Sequence, residues 1–242
     1  MDDWLTPDWP ALPTVRAWVT TRGGGYSTGS HAGFNLASHV GDDPVAVAAN
    51  RQRLRNRLAV APLWLSQVHG TRCVVAEEAW AGMEADACIT RSTSHACTVM
   101  TADCLSVFFC NRSGTAVGVA HAGWRGLAAG VLEATIESLG GPADELLAWL
   151  GPAIGPSAFE VGDEVRHVFL AEDAGAADGF VAAGPGKWWC DIYFLARRRL
   201  QRAGLAAVYG GGLCTVSDPD RFYSYRRDGV TGRMASLIWL QA

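Results

Sequence analysis

The sequence predicts an α+β fold in a single domain, with mixed β-sheets packed together and helices on the outside. Three observations lead there. Between residues 63 and 120 a series of short apolar segments, rich in Val, Ile, Phe and Cys, is broken by turn residues, as buried strands are. Segments of helical spacing flank that series instead of alternating with its members, which favours α+β over regular βαβ units. The 242 residues are 49% apolar and 18% charged, enough to bury a full core, and neither a repeat nor a long polar linker divides them.

Val15 to Thr21 reads as the first strand. It runs into Arg22-Gly23-Gly24-Gly25-Tyr26-Ser27-Thr28-Gly29-Ser30, too glycine-rich for regular structure and suited to a loop in close approach to something. Asp42 or Asp43 caps a helix with Pro44 in its first turn, reaching about Leu58. Strands are expected at Leu63 to Val68, Cys73 to Ala76, Ala85 to Thr90, Cys97 to Thr101, Leu105 to Cys110 and Ala116 to Ala120. A helix from about Gly123 to Leu139 keeps Leu127, Val131, Leu132, Thr135 and Ile136 at helical spacing. Glu145 to Leu150 reads as a strand stopped by Gly151-Pro152. Glu160 to Leu170 and Trp188 to Ala203 read as helices, the second carrying Arg197, Arg198, Arg199 and Arg202 on a solvated face. Ala206 to Leu213 and Met234 to Leu240 read as closing strands.

A formal net charge of -4 gives no electrostatic case for nucleic acid or an anionic membrane as partner, although a local basic pocket remains compatible with it. No apolar run reaches the roughly 18 residues a membrane span needs. The start of the chain lacks the basic-then-apolar pattern of a secretory signal. Seven cysteines, an odd number without a CxxC pair, argue against a disulfide framework and for a cytoplasmic protein with reduced thiols. The ten tryptophans fit core packing, with one or two free to line a ring-binding pocket.

Three segments share one form, an apolar strand ending in a reactive residue beside small residues. Leu63 to Val68 ends in His69-Gly70, Thr98 to Thr101 in Ala102-Asp103-Cys104, and Ala116 to Ala120 in His121-Ala122-Gly123-Trp124-Arg125-Gly126. Strand ends that open into loops present side chains to a cleft. Two imidazoles and one thiolate suit Zn²⁺, and three ligands leave one tetrahedral position open for a water of lowered pKa. Taken singly, each His reads equally as a core or surface histidine, and Cys104 as a buried thiol. The turn at His121 to Gly126 offers helix N-terminal amides and Arg125 to an anion, or is an ordinary strand-to-helix turn. Asp220 to Gly229, with three arginines among aromatics, suits a heterocyclic base and phosphate, or a packed surface ribbon. Asp191 and Glu160 are candidate acid or base residues.

A wider set of motifs occurs in order along nearly the whole chain. It comprises Thr20-Thr21-Arg22-Gly23-Gly24, Phe34-Asn35-Leu36, His39-Val40-Gly41-Asp42-Asp43, Asn50-Arg51, Gln67-Val68-His69-Gly70, Asp86-Ala87, Thr101-Ala102-Asp103-Cys104 and His121 to Gly126. It continues with Gly151-Pro152-Ala153-Ile154-Gly155, Glu160-Val161-Gly162, Asp191, Phe222-Tyr223-Ser224-Tyr225-Arg226-Arg227 and Thr231-Gly232-Arg233. In these the chain resembles the bacterial laccase-domain family, whose members are also described as polyphenol oxidases, purine nucleoside phosphorylases and peptidoglycan editing factors.

The resemblance implies that His69, Cys104 and His121 are zinc ligands, with copper an alternative occupant. It implies phosphorolysis of adenosine, inosine or methylthioadenosine and hydrolytic deamination of adenosine, with a purine nucleoside and phosphate as small-molecule partners. For those reactions Asp103 and Glu160, with Cys104, are the catalytic candidates, and Arg22, Asn35, Gln67, Arg125 and Arg226 the substrate- or phosphate-binding ones. Ser106, Phe159 and Ala196 stand where the family usually has proline, tyrosine and asparagine. Six histidines, His31, His39, His69, His95, His121 and His167, are too few and dispersed for a multicopper oxidase. Two further readings stay open. One is a metal-free hydrolase of cell-wall precursors with Cys104 as nucleophile. The other is a non-enzymatic module closed by a fourth zinc ligand, His39 or Cys73. Oligomeric state is not legible.

Overall fold

The computed structural model describes residues 3–241. Its first strand, β1 (Val15–Val19), turns Val15, Ala17 and Val19 inward, as alternation requires. The glycine-rich loop follows. Gly33 in it has φ 111°, and a Cβ there would overlap the Arg22 carbonyl, so only glycine lets the loop close. Helix α1 (Pro44–Arg55) starts as expected, with the Asp43 carboxylate accepting from the Val45 N–H at 2.9 Å. It stops at Arg55, short of Leu58.

Strands β2 (Ala61–Trp64), β3 (Cys73–Val75), β4 (Ala87–Thr90), β5 (His95–Thr101), β6 (Leu105–Asn111) and β7 (Val117–Ala122) follow. The expected single helix over 123–139 is two, α2 (Trp124–Ala129) and α3 (Val131–Leu139). Gly130 between them sits at φ 102°, a left-handed conformation that no helix interior accommodates.

After β8 (Leu146–Leu150) come two corrections. Glu160 begins no helix: β9 (Glu160–Gly162) pairs with a later strand, and α4 (Asp163–Glu172) starts only after Gly162. Trp188 likewise lies in a strand. β10 (Phe180–Gly184) and β11 (Lys187–Cys190) form a hairpin across Gly184-Pro185-Gly186, and α5 (Ile192–Arg202) begins at Asp191. The Asp191 carboxylate caps that helix, accepting from the Phe194 N–H at 2.9 Å. The chain closes with β12 (Ala207–Gly210), α6 (Tyr225–Asp228) and β13 (Met234–Leu240).

Three sheets result. One has the order β1-β13-β5-β2, one β12-β8-β6-β7-β4-β3, and a small one β10-β11-β9. The pairs β2/β5, β3/β4 and β12/β8 are parallel and the others antiparallel, so the architecture is the expected mixed α+β one. The four- and six-stranded sheets enclose one core, with Val19, Val99, Phe108, Val119 and Ile238. The other face of the six-stranded sheet packs on α2, α3 and α5 through Ile89, Val107, Phe109, Leu127, Leu132 and Leu195. Because both its faces are covered, β6 and β7 are buried along nearly their whole length and mostly apolar in sequence, without the alternation of a half-exposed strand. Trp4, Trp18 and Trp239 meet at tilted and edge-on angles, with successive centroids 5.4 and 4.8 Å apart, on the far face of the four-stranded sheet. No helix among the described residues is long and apolar enough to cross a membrane.

Candidate metal centre

β2 ends at Trp64, so residues 66–70 form a loop that returns along the edge of the sheets toward β4 and β7. That loop carries His69, the β5–β6 turn carries Cys104, and β7 itself carries His121. His69 (φ 59°) and Asp103 (φ 86°) are the non-glycine residues with positive φ among the described residues. Such conformations cost energy and concentrate where the surroundings force a functional geometry.

Donor atoms of His69, Cys104 and His121 all lie within 4.8 Å of one another. The two imidazoles meet edge-on, with centroids 4.7 Å apart. Behind them stands Asp86, fully buried, whose carboxylate accepts four hydrogen bonds. Oδ1 takes the His69 N–H (3.0 Å) and faces His121 Nδ1 (2.8 Å). Oδ2 takes the Val68 (3.1 Å) and Gly70 (2.7 Å) N–H groups. One carboxylate thus shapes the 68–70 loop and holds a proton on His121 Nδ1, leaving Nε2 for a cation. Burial alone would push the Asp86 carboxyl up, but His121 and the amides outweigh it and hold it below the ordinary range. Burial opposes a charge on His121 too, yet Cys104 and Asp86 raise its pKa to about 9 in the chain alone. Burial, helped by His121, lowers that of His69.

The residues fit a metal on two grounds. The set of two imidazoles and a thiol is borderline-soft, suited to zinc or copper. In addition, a Cβ built on Gly123 would lie 2.7 Å from His69 Nδ1 and 3.0 Å from Cys104 Sγ, so glycine preserves a space bordered by the donors. Among the described residues this is the one cluster of at least three such side chains, and neither His39 nor Cys73 belongs to it. A full multicopper set is not assembled there.

The centre lines a cleft of 460 Å³ with His39, Gln67, Trp124, Arg125, Phe159, Tyr225, Arg226 and Arg233 among its walls. A smaller annexe of 130 Å³ shares Cys104, Trp124, Phe159, Tyr225 and Arg226 and adds Asp103, Ile154 and Ile192, giving it a mostly apolar lining.

Gln67, Arg125 and Arg226 of the sequence candidates line this cleft. Gln67 is clasped to Met100, donating from Nε2 to its carbonyl (2.9 Å) and accepting its N–H (2.7 Å). Arg226 lies 5.5 Å over the Phe159 ring and donates to the carbonyls of Ala158 and Glu160. Asp103 reaches the annexe, with Oδ1 accepting from the Thr215 hydroxyl (2.5 Å) and Oδ2 from the Arg226 N–H (2.6 Å). Three candidates stand apart from the lining. Glu160 is exposed, 4.0 Å from Lys187 Nζ; Arg22 donates to the Pro219 carbonyl; Asn35 is fully buried, binding Ala37, Asp42 and Arg233. Asp86 and Arg233 lay within recognised motifs but carried no assigned role, His39 had been considered only as a fourth metal ligand, and Trp124 was visible only as part of a turn.

A family model described as multi-copper polyphenol oxidoreductase laccase matches residues 16–241, and the chain belongs to that family. Among its relatives is the Pseudomonas aeruginosa protein named purine nucleoside phosphorylase PA4543, 60% identical over the whole of both chains. The Escherichia coli protein named purine nucleoside phosphorylase YfiH is 49% identical over 99% of this chain and 100% of its own. Among solved structures, the Neisseria meningitidis protein NMB0706 superposes with a TM-score of 0.97 at 51% identity, over 99% of this chain and 100% of that one.

Proposed function

We propose that this chain is a zinc-dependent purine nucleoside enzyme that cleaves adenosine, inosine and methylthioadenosine with phosphate and deaminates adenosine with water. One observation carries the reading: a three-donor site opens into a cleft walled by aromatic rings and arginines. The names of its close relatives support the same substrate class.

A cation bound by His69, Cys104 and His121 supplies a Lewis acid at the cleft wall, with copper competing for the same donors. The rest falls to the chain. Trp124, Phe159 and Tyr225 offer faces and edges against which a purine packs, and Ile154 and Ile192 keep the annexe dry. Arginine charge beside the centre draws phosphate in and stabilises negative charge on a departing base. Of the two carboxylate candidates for moving a proton, Asp103 is the better situated: it reaches the annexe and shares a hydrogen bond with the Thr215 hydroxyl. All seven cysteines are free, which suits a cytoplasmic setting.

Metal content by mass spectrometry, then adenosine turnover on the same sample with and without phosphate, tests the reading. About one zinc per chain is expected, with ribose phosphate formed only when phosphate is added and inosine formed without it. The Cys104→Ala variant keeps its fold and loses both metal and turnover. Zinc without any turnover refutes the assignment. A metal-free sample points to a second reading that the Asp86–His121–Cys104 chain of contacts favours, a nucleophile, base and orienting carboxylate in sequence. That reading requires Cys104 to be alkylated selectively in the protein as purified.

A further inference from the structure

Arg233 precedes β13 with its guanidinium half-buried in the cleft wall. Its surroundings fix it firmly. Its backbone N–H donates to Asn35 Oδ1 at 2.9 Å, and Nη1 donates to the carbonyls of Thr231 and Gly232, both at 2.9 Å. Nε and Nη2 find no acceptor, and no carboxylate pairs with the group, among the described residues. Asp103 and Cys104 act on it only through space and its Cζ lies 5.9 Å over the Tyr225 ring, so this positive charge in a partly desolvated wall has no paired carboxylate, and an arriving anion would offset part of the cost of burying it.

Two other groups lie beside it along the same cleft. Arg125 lies 4.4 Å over the Trp124 ring and makes no hydrogen bond or ion pair among the described residues. His39 lines the same cleft, and besides burial its pKa is lowered by the nearby charges of Arg233 and Arg51. Arg233 and Arg125 line the same cleft as His69 and Cys104, so their charges meet beside the metal centre. The carboxylates near this cleft are already engaged. Asp86 spends its oxygens on four donors behind the centre, and Asp103 spends both of its own on Thr215 and the Arg226 N–H. Arg226 is turned toward the carbonyls of Ala158 and Glu160.

We infer that Arg233, Arg125 and His39 form an oxyanion subsite beside the His69–Cys104–His121 centre, with inorganic phosphate as its ligand. Arg233 contributes the pre-set fork, and a tetrahedral oxyanion takes the free Nε and Nη2 as a bidentate pair. Arg125, unfettered by protein acceptors, closes on a second oxygen. This subsite rests on the phosphorolysis reading for its purpose, but its existence is a binding question that can be asked separately.

The test is titration calorimetry with inorganic phosphate on the metal-loaded protein, comparing wild type, Arg233→Gln, Arg125→Gln and Arg16→Gln. Arg16 is exposed on β1 and controls for net charge alone. Phosphate Kd should rise on the order of 10- to 100-fold in Arg233→Gln and about tenfold in Arg125→Gln, with metal content unchanged and Arg16→Gln behaving as wild type. Wild type that binds no phosphate, or cleft variants that bind it as wild type does, overturns the subsite. If Arg233→Gln fails to fold, Arg125→Gln decides, since its side chain makes no protein hydrogen bond that folding depends on. The two readings fail separately. Arginine-dependent phosphate binding without nucleoside cleavage overturns phosphorolysis and leaves the subsite. Phosphorolysis whose KM for phosphate ignores both variants does the reverse.

Discussion

One methyl group at position 123 should dismantle the metal centre without unfolding the chain. The Cβ of Gly123→Ala would sit 2.7 Å from His69 Nδ1 and 3.0 Å from Cys104 Sγ. Favourable non-bonded contact begins near about 3.5 Å, so the imidazole has to retreat by roughly 0.8 Å and the sulfur by at least roughly 0.5 Å. Metal–ligand distances tolerate about 0.2 Å, so two of three donors leave their ligating positions together. The backbone itself raises no objection. Gly123 has φ -59° and ψ 154°, open to alanine, and an alanine at this helix N-cap costs about 1 kcal/mol or less relative to glycine. That is small against a typical domain stability of about 5–15 kcal/mol. The expected result is a fall in zinc affinity of about 100-fold or more, read by competition with a chromophoric chelator, beside a circular-dichroism melt within a few degrees of wild type. Disturbing an outer partner of a ligand already costs about 10- to 100-fold, and here the ligands themselves move. Affinity within about threefold of wild type would show that the three side chains do not bind the metal from this arrangement.

Asp86→Asn keeps the shape of the side chain but turns one acceptor into a donor facing backbone N–H groups. It should lose about 10- to 100-fold in metal affinity and about 1–3 kcal/mol in stability, by chelator competition and urea unfolding; intact affinity would mean His121 needs no orienting partner. Gly130→Ala forces a side chain into φ 102° between α2 and α3 and should cost about 1–2 kcal/mol in urea, whereas no change would show that the joint tolerates a right-handed turn. The Asp173 carboxyl is held at about 2, chiefly by its hydrogen bonds from Arg198 and against the pull of burial, while its unfolded value is near about 3.9. A value depressed on folding adds stability that is present above about pH 4 and lost as the pH falls toward 2. Asp173→Asn should therefore show a smaller drop in Tm between pH 4 and pH 2 than wild type; equal slopes would remove Asp173 from acid unfolding.

Most elements were legible because two covered sheet faces leave a strong signature. Met234 to Leu240 was placed at its true ends since all seven residues are buried and a turn precedes them. The misread segments are those where apolar spacing serves both periods. Trp188 and Trp189 continue backward the apolar pattern of Ile192 to Leu200, so the helix seems to begin at Trp188. The Gly184-Pro185-Gly186 turn was the local sign that a hairpin comes first. At Glu160 to Leu170 the break is Gly162 alone, and what makes 160–162 a strand is its pairing with β11, a contact that spacing does not encode.

The site divides along the same line. His69, Cys104 and His121 were visible because reactive side chains at the ends of apolar segments stand out from their neighbours. Asp86 did not, for its importance lies in meeting four donors from positions 68, 69, 70 and 121, and a lone carboxylate before a strand looks like any other. Arg233 is hidden for a related reason. Its long-range neighbour in the fold is Asn35, nearly 200 residues away in sequence, whose amide oxygen accepts the Arg233 N–H and helps hold it at the cleft. Asn35, read from its motif as a substrate contact, is fully buried and outside the cleft lining. Its amide spans Ala37, Asp42 and Arg233, so an Asn35 substitution should act on phosphate binding through the position of Arg233 and not by direct contact. Motifs name residues that matter to a site; which of them touch the ligand, and which hold others in place, is decided by hydrogen bonds between segments far apart in the chain.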